Sequence, residues 1–443
     1  MIRAALKNSS WLISEKVVGM AVNLVVALVV ARALGPELFG QLNYVLALVA
    51  LVLPLAALGM NALIMRELVE APTRETEIMS TAAAYRSIGA LLGILALITW
   101  AFVSSSMPTD ERISLVVIGS AAILQSFQVV EFYFQAQVSA HYIVKMRAAV
   151  ILTAGIAKLV VVFVNPSLVP IAAVFALEYL AWGLGYIFLY QKRSNGFAWR
   201  AIHWRYGWDL LKQAFWLILS GVAAVLYLKI DQVMLGTMVD KSEVGIYAVA
   251  VKLSEVWYFF ATAIATSFFA GLIKLKKTNF NVYQQRLQQL CDGLFVCALL
   301  VATAVTLLAD PVVLWLFGEA YRGASTILMI HVWASLFVFM RALASKWLIA
   351  ERLLVFSLVS HGVGAALNVS MNLILIPSYQ GEGAAVATLI SYAGAAYFAF
   401  WLSAQTRPLA RIMSYSLILP FTFGYRYWRA VRKLREALKL GKN

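Results

Sequence analysis

Gly35 to Leu48 reads GPELFGQLNYVLAL, and Asp240 to Leu253 reads DKSEVGIYAVAVKL. Each stretch sets an acidic and an apolar residue just before a glycine, Gly40 or Gly245, and then runs into an apolar helix. The two glycines are 205 residues apart. A second signal recurs at nearly the same spacing. Apolar runs close at Asn165-Pro166 and at Ile376-Pro377, about 211 residues apart, and each is soon followed by a span rich in small residues. Two matches at almost one offset indicate a duplicated unit, which is how many membrane transporters are built.

The surrounding composition fixes the solvent. Of 443 residues, 62% are hydrophobic and 13% charged, against about 45–50% and about 25% in soluble domains. So much apolar surface with so few charges has to face lipid, which excludes soluble enzymes, disordered chains and secreted disulfide scaffolds. Cys291 and Cys297 sit about 240° apart on one helix and cannot pair. Apolar runs lie near 11–31, 42–65, 80–103, 113–134, 146–165, 168–190, 213–236, 245–270, 287–309, 325–346, 354–377 and 383–404. The first carries Glu15 and Lys16 with no small-residue cleavage site, so it is expected to remain as a span. Of 36 basic residues, 27, including Arg86 and Arg147, fall on the side of the N terminus. Four (Arg32, Arg112, Lys241, Arg322) fall opposite, and five lie within spans. The positive-inside rule then places both termini in the cytoplasm.

The expected fold is an all-α polytopic membrane protein. Twelve transmembrane helices form two six-helix lobes (1–190 and 213–404) around a central cavity, joined by a basic cytoplasmic linker (191–212). The tail (405–443) is expected to end in a basic amphipathic helix, RYWRAVRKLREALKLGK (Arg426 to Lys442), lying on the anionic inner leaflet. Six spans per lobe give both lobes one orientation, so their pseudo-axis runs along the membrane normal.

Four motifs carry a family resemblance: ARALGPELFGQLNY (Ala31 to Tyr44), KIDQVMLG with SEVGIYAVAVKLSE (Lys229 to Gly236, Ser242 to Glu255), LFGEAYRGA (Leu316 to Ala324) and NLILIPSYQGEGAAVATLISY (Asn372 to Tyr392). In this order, and over essentially the whole length, they resemble the polysaccharide-transporter branch of the multidrug/oligosaccharidyl-lipid/polysaccharide exporter superfamily, and within it the Wzx-type flippases. The chain departs from the pattern at Gln380, where relatives often carry Gly after the Tyr. The resemblance implies a two-bundle protein of the bacterial inner membrane. It would move undecaprenyl-pyrophosphate-linked oligosaccharide from the cytoplasmic to the periplasmic leaflet by alternating access, beside a polysaccharide polymerase and a chain-length regulator.

Ionisable groups inside spans carry the functional reading, because each costs about 2.5–3.5 kcal/mol at a helix centre. A pyrophosphate needs fixed cations in low dielectric, so Arg32, Arg66, Lys229, Lys252 and Arg341 are the candidate substrate-binding residues. Arg341 has no acidic neighbour at helical spacing. Lys252 with Glu255, and Lys158 with Glu178, could equally form structural pairs. Asp231 and Glu255 are candidate carriers of a coupling proton or Na⁺. Glu131 and Asp292 are placed within reach of the inner interface. His331 and His361 read as packing or hydrogen-bonding residues. Asn368 and Asn372 would meet either sugar hydroxyls or neighbouring helices.

No nucleotide-binding, hydrolase or metal motif occurs in the sequence, so no catalysis, cofactor, metal or nucleic acid is expected. Two alternatives are less well supported. A drug or metabolite exporter of the same superfamily would present acids to a cationic substrate. A membrane-integral polysaccharide polymerase or ligase would need a large periplasmic loop.

Overall fold

A computed structural model describes residues 2–105, 107–353, 355–422 and 426–428. Among these the chain is almost wholly helical. In order the helices are α1 (Ile2–Ala57), α2 (Asn61–Glu70), α3 (Glu75–Val103), α4 (Thr109–Ala121), α5 (Val129–Ala136), α6 (His141–Val164), α7 (Leu168–Arg193) and α8 (Trp204–Met238). They continue as α9 (Lys241–Glu255), α10 (Tyr258–Thr278), α11 (Phe280–Phe317), α12 (Gly323–His331), α13 (Ser335–Ala350), α14 (Val355–Ala396) and α15 (Arg407–Leu417). These form ten helical stretches long and apolar enough to cross a membrane. Large apolar side chains cover the outside, with Leu307, Trp315 and Val164 each at least 75% exposed, as a lipid-facing surface requires. The chain is a multi-pass membrane protein.

Ten stretches stand where twelve spans are expected because two turns are nearly free of loop. The first stretch has 58 residues, about 87 Å of helix, far more than a hydrocarbon layer of about 30 Å. It breaks at Gly35, whose φ of 71° and ψ of 173° leave helical geometry. Before this point Val22 and Val26 pack on Gly155 of α6; after it Val52 and Leu55 pack on Gly93 and Gly89 of α3. Helix α14 likewise breaks at Gln380 (φ 48°, ψ −126°). Its halves form a hairpin in which Gly383 lies against Leu375 and Gly394 against Leu367. The all-α polytopic fold is as expected; the loops between these neighbouring spans are shorter.

The two repeat copies also meet in space. A Cβ on Gly40 would collide with the Lys241 carbonyl oxygen, and a Cβ on Gly245 with the Pro36 carbonyl oxygen. Pro36 and Lys241 are themselves 205 residues apart, so the contact is self-complementary, as across a two-fold axis. The duplication recurs inside the halves. A 3₁₀ segment, Ala122–Gln128, interrupts the α4–α5 span, and another, Val332–Ala334, interrupts the α12–α13 span.

The C-terminal amphipathic stripe lies outside the described residues apart from Arg426–Trp428. Asp292 of α11 is buried. It accepts hydrogen bonds from Ser416 (2.7 Å), Arg426 (2.8 Å) and Tyr427 (2.5 Å), tying the chain after α15 to α11. Cys291 is buried and Cys297 exposed, both unpaired, on different faces of α11.

Candidate functional site

The four sequence motifs converge at the end of the molecule where Gly40 meets Gly245. Tyr321 donates its hydroxyl to the Ala31 carbonyl at 2.7 Å, and the Gly381 N–H donates to Glu243 at 2.9 Å. Lys241 donates to the Gly236 carbonyl at 2.6 Å, lies 3.5 Å over the Tyr44 ring and approaches the buried Glu111 carboxylate at 3.8 Å. The halves are therefore sealed against each other at this end.

Away from the seal the seam opens into two cavities. One, of about 590 Å³, lies between the second half of α1, the start of α2 and α8, and holds Lys229, Asn61 and Gln128. The other, of about 290 Å³, lies between the first half of α1 and the α9–α10 junction, and holds Lys252, Glu255 and Asn23. Exchanging the repeat copies interchanges the helices that line the two cavities. Neither Lys229 nor Lys252 makes an ion pair within 4 Å among the described residues. Lys252 and Glu255 therefore do not neutralise each other in contact. Lys158 and Glu178 do, at 2.5 Å, both buried and with Lys158 over Phe175.

The other candidates lie elsewhere. Arg32 is exposed, on the first half of α1 near the seal. Arg66 is exposed and bonded to Glu67 at 2.8 Å and to Gln213 at 3.2 Å; neither arginine lines these two cavities. Arg341 is buried within the second half of the chain. It bonds His361 Nε2 at 3.1 Å, His361 Nδ1 meets Ser220 of α8 at 3.1 Å, and Arg341 Nη1 is buried without a hydrogen-bond partner among the described residues. Arg341 is thus linked through His361 to Ser220 of α8, the helix that lines the larger cavity. His331 meets Ser254 at 2.9 Å.

Asp231 is buried in a cage of neutral donors. It accepts from Tyr247 (2.8 Å), Thr388 (2.6 Å) and Asn372 (2.5 Å), and Asn372 also donates to Asn368 at 3.2 Å. The two asparagines are fully buried and bond Asp231, Ser391 and each other. No basic side chain pairs with Asp231 within 4 Å among the described residues.

Arg86, counted from sequence among the cytoplasmic topological cations, is 1% exposed and bonds Asn61 Oδ1 at 2.7 Å. Glu131 is partly buried among other side chains. It receives Arg147 at 3.0 Å, and Arg147 also pairs with Glu15 at 3.2 Å. Sequence held one sign of this. Arg86 stands six residues inside an apolar run, in TAAAYRSIGALLG (Thr81 to Gly93), deeper than a purely topological cation needs to be.

A family model described as polysaccharide biosynthesis protein matches residues 5–269. The chain belongs to that family. It is 22% identical over 218 residues, 48% of its length, to a probable low-salt glycan biosynthesis flippase of Haloferax volcanii, and this stretch spans 44% of that relative. The fold matches a lipid II flippase, MurJ, in an inward closed conformation (TM-score 0.69, 13% identity, 94% of this chain and 92% of that one). It also matches an inward-facing multidrug resistance transporter of the multidrug/oligosaccharidyl-lipid/polysaccharide superfamily (TM-score 0.65, 14% identity, 89% and 96%). The recognition made from the four motifs therefore holds.

Proposed function

We propose that the chain is a flippase for undecaprenyl-pyrophosphate-linked oligosaccharide repeat units. It would carry them from the cytoplasmic to the periplasmic leaflet of a bacterial inner membrane for polysaccharide assembly, with both termini in the cytoplasm. The observation that carries this reading is the pair of seam cavities with an unpaired lysine in each. Two fixed cations suit a compact polyanion crossing low dielectric. The curated glycan-flippase relative, similar over about half of this chain, supports the same substrate class. The moving bodies are lobes 1–190 and 213–404, linked by 191–212. In alternating access the Gly40–Gly245 seal opens as the other end closes. The role is transport rather than catalysis, upstream of a polymerase and chain-length regulator.

Of the residues singled out in the sequence, Lys229 and Lys252 are assigned to the pyrophosphate, and Arg341 to holding α8 through His361. Arg32 and Arg66 are withdrawn from the site. Asp231 is assigned to coupling, because it is a buried carboxylate held by three neutral donors with no basic side chain paired to it within 4 Å among the described residues. Glu255, the second coupling candidate, lines the smaller cavity beside Lys252. The test is flipping of a fluorescent undecaprenyl-pyrophosphate oligosaccharide in proteoliposomes. Translocation of this lipid is expected, and none of a zwitterionic phospholipid analogue; failure to move the glycolipid refutes the assignment.

A further inference from the structure

At the end of the larger cavity away from the seal, two amide side chains are oriented by charged neighbours, the buried Arg86 and the partly buried Glu131. Arg86 can only donate, so its 2.7 Å bond to Asn61 fixes the Asn61 oxygen toward Arg86 and turns the amide nitrogen to the cavity. The Glu131 carboxylate can only accept, so its 3.4 Å contact with Gln128 draws the Gln128 nitrogen inward and leaves the oxygen to the cavity. Glu131 is itself held by Arg147 at 3.0 Å and Gln135 at 3.0 Å. A donor and an acceptor, both neutral, thus face a space whose cation is Lys229. A hydroxyl gives and receives one hydrogen bond each, which suits this pair, whereas a phosphate oxygen would meet the Gln128 oxygen with repulsion.

We propose that Asn61 and Gln128 form a sugar-hydroxyl subsite, next to the pyrophosphate position at Lys229, with Arg86 and Glu131 as its positioning residues. The inference rests on the flippase reading and assigns the part of the substrate that it leaves open. Asn61→Asp tests it. Aspartate keeps the Arg86 contact but offers the cavity an acceptor in place of a donor. Gln128→Met, of similar size, removes the acceptor and serves as the second variant.

The probes are undecaprenyl pyrophosphate and the same lipid bearing one neutral N-acetylhexosamine, titrated against the full-length protein in nanodiscs. Wild type is expected to bind the sugar-bearing probe more tightly. Gln128→Met is expected to lose about tenfold in affinity for it while binding the bare lipid as wild type does; Asn61→Asp, whose carboxylate stands beside the pyrophosphate position, is expected to lose more affinity for the sugar-bearing probe than for the bare lipid. The unchanged bare-lipid affinity of Gln128→Met is a readout a merely structural defect would not preserve. Equal loss for both probes, or no loss for either, overturns the subsite while leaving the flippase reading in place. Wild type binding neither probe overturns both.

Discussion

At Gln380 the backbone turns with φ 48° and ψ −126°, a region that glycine enters freely and other residues enter with strain. This is the position where the late motif departs from its relatives, so the departure has a physical cost. Gln380→Gly is expected to stabilise the protein by about 1 kcal/mol, read as a raised melting temperature in detergent; a lowered one contradicts the assignment. Arg341 makes the second residue-scale prediction. Its bond to His361 and its buried Nη1, without a hydrogen-bond partner among the described residues, predict that Arg341→Ala abolishes transport in a complementation assay while the protein still inserts. Full activity would remove its assigned role. That Arg341 is unpaired was legible from the absence of an acid three or four residues away. That it contacts His361 was not, because the pairing depends on how α13 and α14 cross.

The elements turn on glycines that hold helices in contact. Gly40 and Gly245 each face the carbonyl of the other repeat copy, so any side chain there forces the halves apart. Gly40→Val is expected to leave the protein inserted but to expose the sealed end. With Tyr44→Cys as the reporter, the thiol is then expected to react faster with a membrane-impermeant reagent than it does when Gly40 is kept. Equal reactivity would show that the contact is no seal. Gly35 acts differently. A Cβ at this position would meet nothing within 4 Å, so its constraint is the backbone alone, and Gly35→Ala is expected to destabilise by about 1–3 kcal/mol. The spans and the repeat were legible because hydropathy and spacing are one-dimensional signals. The near-absence of loop at Gly35 and Gln380 was not, because a single residue outside helical geometry leaves no polar gap.

For the whole molecule, charge sorting from sequence separated topological cations from intramembrane ones and brought Lys229 and Lys252 forward. It misplaced Arg86, since counting along the chain cannot tell a cation at the headgroups from one turned into a bundle. It also missed Asn61 and Gln128, because a neutral amide in an apolar run carries no signal until its neighbour's charge orients it. Asp231 was legible as an expensive buried charge, but its cage draws on α9 and α14 as well as α8. If Asp231 couples transport to an ion gradient, Asp231→Asn should flip substrate at a rate that no longer responds to collapse of the pH and Na⁺ gradients. A response equal to that of wild type would sink the coupling role.

Central to the proposed mechanism is the passage of an anionic glycolipid along the seam under the charge of Lys229 and Lys252. Its most direct test is the initial flipping rate of fluorescent undecaprenyl-pyrophosphate oligosaccharide in proteoliposomes, comparing wild type with Lys229→Ala/Lys252→Ala at equal incorporation. The expected loss is at least about a hundredfold, one tenfold step per charge-assisted contact. A double variant that flips at the wild-type rate would contradict it.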